Sequence, residues 1–271
     1  LRGVILGPSI VPPTEDNFSW VRAQALQVSF NPLELALTRT LRPSVVFIKP
    51  EVAIKQSFQG EWKVEPPQSV GREGFFTTEL KSLQIRNAAL AIGPISRTSI
   101  VEVPEGVTSA TLILLKNVNL RVRFSGADNQ TAALIVGGRL NNGAFQIRGE
   151  TQLDTRQANL MIQGQQLPIE SVNPLFGGSF FVRDGLLSCN LDARLRPQND
   201  DPFTVKGTAR LRNGNIIITD LPSPFQNING TLVLDGVGGK LENSSLKYGP
   251  ILVRAEGEVD LHKGHDLSIT I

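Results

Sequence analysis

The chain has 271 residues, 40% hydrophobic and 19% charged, enough for a large core and too apolar for a disordered polymer. Its 27 Lys+Arg against 25 Asp+Glu leave a net charge of +2, and no basic run stands out, so nucleic acid is not an expected partner. A single cysteine, Cys189, excludes an intramolecular disulfide framework, and no apolar run approaches the ~20 residues of a membrane-spanning helix.

In chain order, helical signal comes first and is scarce. "NPLELALTRTL" from Asn31 offers an N-cap, a Pro at the first helical position, and Leu33, Leu37 and Leu41 at turn spacing. "PEVAIKQSFQGEWKVEP" (50–66) reads as a hairpin in which Trp62 closes the end of a core; Trp20 is the second, equally rare, tryptophan. "PPQSVGREG" (66–74) suggests a loop or a small boundary.

Beyond it, period-2 alternation dominates. "VRFSG", "AFQIRGETQLD", "CNLDARLR", "TVKGTARLR", "NGTLVLDG" and "LSITI" each place apolar residues on one face and polar ones on the other. "PIESVNPLFGG" from Pro168 holds one short helical turn at most. "LNNG", "LRNGN", "LDGVGG" and "LHKGH" break the runs about every 8–12 positions, the spacing of an antiparallel meander. Such a chain predicts roughly 14–18 strands, which at ~4.8 Å each make a stack about 65–85 Å long.

A loose repeat runs through this half. Apolar-x-apolar-x-Gly-x-small-or-apolar-x-apolar fits residues 145–153 around Gly149, 203–211 around Gly207, and 253–261 around Gly257. Each glycine falls on the apolar face, where glycine marks a bend, a bulge or close approach of something to the backbone.

Chemistry-bearing constellations are absent from the sequence. His262 and His265 are the only histidines, in the polar turn "HKGHD", and lack the further ligands and spacing of a structural zinc. Cys189 sits in an alternating apolar run with no histidine near it in sequence, the setting of a small buried hydrophobe. No nucleophile elbow, P-loop, zincin or dinucleotide motif occurs. The expectation is a protein that is not an enzyme, with no catalytic residues, cofactor or metal. An extracellular β-sandwich enzyme or adhesin is a third possibility with no site to support it.

The segment "VRAQALQVSFNPLELALTRTLRPSVVFIKPEVAIKQSFQGEWKV" resembles the early part of AsmA-like proteins, and "LKSLQIRNAALAIG" resembles their next strand pair, with Ala88 where the family often has Gly. "DPFTVKGTARLRNGNIIITDLPSPFQNINGTLVLDG" followed by "ILVRAEGEVDL" is similar to the module of TamB-type translocation and assembly proteins, of cyanobacterial or plastid type. The resemblance covers about 21–261. It implies an elongated, curved antiparallel sheet (a β-taco or groove) with one or two short helices. Residues 1–70 would hold the AsmA-like strands, helix and hairpin, and residues 71–271 the repeated groove modules. It also implies a periplasmic or envelope location, or the plastid intermembrane space, with an inner-membrane anchor outside this stretch. The abrupt opening on "LRGVILGPS" fits an excised piece of a longer chain.

The dry face suggests where a guest would lie, and the resemblance implies what that guest and the partners would be. Small residues among aliphatics, with only 6% aromatics, suggest room for a guest. The expected groove walls are Phe145, Ile147, Leu153, Val205, Leu211, Leu232, Leu234, Ile251, Val253, Val259 and Leu261, and the expected floor is Gly149, Gly207, Ala209, Ala255 and Gly257. The expected guest is a phospholipid or other acyl lipid moving between inner and outer membranes. The alternative is a scaffold that assists outer-membrane protein assembly or translocation with a β-barrel partner of the TamA type, pairing through an exposed sheet edge.

Overall fold

The computed structural model describes residues 2–6, 20–55, 77–93, 112–126, 130–175, 180–198, 201–218, 221–236, 238–260 and 267–270. The strands are β1 (Arg2–Leu6), β2 (Trp20–Ser29), β3 (Thr40–Leu41), β4 (Ser44–Lys55), β5 (Thr77–Thr78), β6 (Ser82–Gly93), β7 (Ile113–Ser125) and β8 (Thr131–Leu140). They continue as β9 (Gly143–Gln152), β10 (Gln157–Pro168), β11 (Phe180–Leu195), β12 (Phe203–Ile218), β13 (Phe225–Gly236), β14 (Gly238–Tyr248), β15 (Ile251–Asp260) and β16 (Leu267–Thr270). Helix α1 (Pro32–Thr38) and a 3-10 helix (Ile169–Leu175) are the helical elements described.

Fourteen strands form one open sheet in the order β1-β2-β4-β6 and then consecutively from β7 to β16. The expected all-β class, elongated sheet and sparse helix are what the chain adopts. Pairing is antiparallel except between β4 and β6, which run parallel, with Phe47 beside Ile85 and Val52 beside Leu90. The hairpin read at 50–66 extends into residues outside those described, as do Trp62, the "PPQSVGREG" loop and the "LHKGH" turn. The boundary expected near residue 70 also falls there, and β4 and β6 on either side of it lie in the same sheet.

Helix α1 follows its capping signals, but it ends at Thr38, so Leu41 lies in β3, and Leu33 and Leu37 are exposed rather than packed. Asn31 Oδ1 accepts from the Leu33 and Glu34 N–H groups at 3.0 and 3.5 Å, and Pro32 starts the helix. Arg39, left-handed at φ 53°, ends it by donating to Leu35 O. Arg42 then bridges Glu34 (3.3 Å) and Glu79 (2.9 Å), which pins the helix to the small parallel sheet β3-β5.

The main sheet is organised by a line of β-bulges. Seven residues inside strands are left-handed: Lys49, Asn87, Asn117, Gln166, Asn213, Asn227 and Asn243. They lie on β4, β6, β7, β10, β12, β13 and β14. Gly185, at φ 142°, takes the same place on β11. At each the apolar alternation slips by one, and at all but Lys49 the register with a neighbouring strand shifts by one residue. Along β7 the inward positions are Ile113 and Leu115, then Val118, Leu120 and Val122; along β12 they are Val205 and Leu211, then Gly214 and Ile216. "LRNGN" is therefore not the turn its Asn-Gly suggests but a bulge within the sixteen-residue β12. Asn tolerates the left-handed region because its side chain bonds locally, which explains five of the seven residues.

A bulge leaves a backbone N–H without its ladder partner. Asparagines two positions beyond the neighbouring strand's left-handed residue supply it. Asn87 N–H donates to Asn119 Oδ1 (3.1 Å), Asn213 N–H to Asn229 Oδ1 (3.1 Å), and Asn227 N–H to Asn215 Oδ1 (3.0 Å). Ser188 Oγ does the same for Gln166 at 3.2 Å. The β12–β13 exchange is reciprocal, and the sequence writes each part as Asn-x-Asn: "NVN", "NGN", "NIN".

Bulges bend strands, and bulges aligned across neighbouring strands fold the sheet along one line. Residues on the apolar side of this line are small or compact and buried: Pro50 fully, Ala88 at 4%, Val118 at 8%, Gly185 and Gly214. The left-handed residues on the other side are exposed. The sheet is thus creased with its apolar face inside.

A β-branched residue cannot hold the left-handed conformation without strain of about 1–2 kcal/mol. Asn213→Val is expected to lower stability by that amount in urea titration, while Asn213→Gly leaves the midpoint within error. Asn229→Ala, which removes the acceptor for the Asn213 N–H and the donor to Asn227 O, costs about 1–2 kcal/mol.

Candidate functional site: the apolar face of the creased sheet

Strand register carries apolar rows across the whole sheet. One runs Leu26, Phe47, Ile85, Leu120, Val136, Ile147 and Ile162, and continues through Leu191, Gly207 and Leu234 to Gly239 and Val259. A second passes Val122, Leu134, Gly149, Leu160, Ala193 and Val205. A third passes Gly138, Phe145, Gly164, Cys189, Ala209, Leu232, Leu241 and Gly257. Beyond the crease, Val182, Ile216, Phe225, Tyr248 and Ile251 form a further row, with the Phe225 and Tyr248 rings 5.0 Å apart.

Most expected wall residues lie on this face. Phe145, Ile147, Leu211, Leu232, Leu234 and Val253 are half-buried, and Val205 is buried. Ile251 and Leu153, at the ends of their strands, are 57% and 48% exposed. Val259 is placed by its register opposite Gly239, and Leu261 lies outside the described residues. The three repeats are β9, β12 and β15, so the motif recurs every third strand.

The role expected of the glycines needs correcting. A Cβ at Gly149 would stand 2.0 Å from Asn159 O, and one at Gly207 would stand 2.1 Å from Asn190 O. These glycines admit the neighbouring strand's backbone, not a guest. Gly138 receives the Phe145 ring, whose Cζ would lie 2.8 Å from an added Cβ, and Gly164 receives Leu167 and the Cys189 Sγ. Register also staggers Gly149, Gly207 and Gly257 over three different rows, so they form no continuous trough.

What remains open is the face itself. Among the described residues the strand pairs account for most tertiary packing, α1 buries none of its own residues, and the 3-10 helix packs chiefly on β11 and β7, with Asn141 of the β8–β9 turn donating to Ser171 Oγ. Among the described residues no second layer covers the aliphatic rows, and half-burial of Ile147, Leu232 and Leu234 is the consequence. A filled sandwich core would bury them completely.

The sequence reading missed the crease. Its signal was present: the apolar phase slips by one at each left-handed position, and Asn-x-Asn marks three such places. Two open clefts of mixed lining lie along the crease, one at Lys49, Pro50, Glu51, Asn87, Ala89 and Asn117, the other at Arg183, Asp184, Asn215, Ile217, Pro224 and Asn227. No group of His, Cys, Asp and Glu suited to a metal ion occurs among the described residues.

The fold and face define a class: an open, bulge-creased β-sheet whose apolar face no second layer covers among the described residues. No known protein family, no curated protein and no solved structure matches the chain.

Cys189 reports on this face from within, between Gly164 and Ala209. Burial disfavours the thiolate and pushes its pKa up, against a weaker opposing hydrogen bond at Gly164. Because the folded chain holds this proton more tightly, the associated stability is present below the ordinary thiol range and is lost as pH rises through the raised value. Iodoacetamide is expected to modify Cys189 several-fold more slowly in the folded chain than in urea at pH 8, with the gap narrowing at higher pH. Gly207→Ala is expected to cost more than about 2 kcal/mol in urea titration, because backbone must move.

Proposed function

We propose that this chain is a non-enzymatic segment of an envelope protein whose creased sheet shields lipid acyl chains in transit between two membranes. One observation carries the reading: an aliphatic face continuous over twelve strands, half-exposed and without a covering layer among the described residues. Soluble proteins rarely leave contiguous apolar surface of this extent without something to bind it.

The energetics are permissive. A 16-carbon chain gains about 13 kcal/mol on leaving water, at ~0.8 kcal/mol per CH₂, and gains a similar amount in an apolar groove as in a bilayer. Exchange between the two is then nearly neutral. Rows of similar aliphatic side chains give a sliding chain no deep trap, and the headgroup stays in water at the open lip. No catalytic group is required.

The test is native mass spectrometry and lipid extraction of the purified chain. Acyl lipid is expected to co-purify and to slow Cys189 alkylation further than folding alone does. Ile162→Glu with Leu234→Glu, two charges on one row, is expected to reduce bound lipid at least tenfold, whereas Thr208→Glu on the opposite face leaves it unchanged. Absence of lipid in all three proteins, with Cys189 indifferent to added fatty acid, would falsify the reading.

A further inference from the structure

The polar face of the same sheet is electrically divided. Strands β6 to β9 carry six cations, Arg86, Lys116, Arg121, Arg123, Arg139 and Arg148, against one carboxylate, Glu150. All seven are exposed, and among the described residues none of the six cations is in an ion pair; Arg86 donates only to Gln84 Oε1. Strands β11 to β15 carry eight cations and seven carboxylates.

Register sharpens the contrast. In the C-terminal strands opposite charges sit side by side: Asp192 beside Lys206 beside Asp235, and Lys240 beside Glu258. In the N-terminal strands Lys116 sits beside Arg139, a like-charge pair that weakens a sheet. One sheet thus neutralises its outer face in one half and leaves it basic in the other. A merely solvated face has no reason for the difference.

The basic half also exposes apolar side chains among its arginines. The row Arg121, Ile135, Arg148, Met161 alternates charge with aliphatic surface, and Ile135 and Met161 are 46% and 45% exposed. Arginine and methionine around a desolvatable centre are characteristic of protein interfaces, and guanidinium groups bind carboxylates in bidentate fashion. We infer that the outer face of β6–β10 docks an acidic protein partner, whose carboxylates meet Arg121 and Arg148 on β7 and β9 and whose apolar residues cover Ile135 on β8 and Met161 on the adjoining β10. This site lies on the opposite side of the sheet from the proposed lipid face and does not depend on it.

The experiment uses the full chain and a fluorescent peptide of alternating Glu and Leu, with binding read by anisotropy at low and at physiological salt. Binding that weakens with salt, falls at least tenfold in Arg121→Glu/Arg148→Glu and persists in Lys206→Glu/Arg210→Glu supports the inference. Arg121→Ala/Arg148→Ala, checked for an unchanged urea midpoint, separates loss of contact from loss of fold. No peptide binding, equal loss in both charge-reversal pairs, or phosphatidylglycerol vesicles binding as tightly as the peptide each overturns it.

Discussion

The structure depends on a backbone constraint: left-handed residues sit side by side on β4, β6 and β7 and again on β10 to β14, with freed N–H groups satisfied from next door. Seven non-glycine residues take that conformation inside strands, and Asn119, Asn215, Asn229 and Ser188 accept from four of the freed amides. A lone bulge would kink one strand and break its register with the next. Aligned bulges keep both neighbours in register on either side and turn the defect into a crease. The reciprocal bonds between β12 and β13 couple the conformations of two strands, so neither bulge is free to migrate alone.

The crease decides what the apolar face becomes. A flat fourteen-stranded sheet with one dry side would have to pair with another layer or aggregate. Folded along its bulges, the sheet turns that side inward, buries Pro50, Ala88 and Val118 at the bend, and leaves the rows beyond them half-covered. Glycines on that face serve the sheet's own packing. Gly138, Gly164 and Gly214 receive neighbouring side chains, and Gly149 and Gly207 receive neighbouring carbonyls. In the proposed lipid reading, room for an acyl chain comes from the lack of a second layer among the described residues, not from small residues.

The two faces place different demands on the same strands. Inward positions are mostly aliphatic or small, with aromatics such as Phe47, Phe145, Phe225 and Tyr248 among them, because they contact adjacent rows. Outward positions are limited only by charge balance, and the C-terminal strands observe it while β6–β9 do not. Alternation lets the two demands be met independently, because successive side chains point to opposite sides.

Much of the fold was legible in the sequence for that reason. Period-2 alternation in "AFQIRGETQL" or "ILVRAEGEVD" is a local property, and it correctly named β9, β15 and which of their faces is dry. Asn31 and Pro32 likewise announced α1, since a helix cap is settled within four residues. Composition alone excluded a disulfide scaffold and a spanning helix. Tertiary structure decided what local pattern cannot encode. "RNGN" has the chemistry of a hairpin turn, yet Asn213 bulges within β12 because β13 presents Asn229 to its amide. Gly207 reads as a gap, yet its space belongs to Asn190 O of β11. The parallel pairing of β4 with β6 leaves no trace in either strand's alternation. In each case the outcome turns on which strand lies alongside, and strand neighbours are chosen by the assembled sheet.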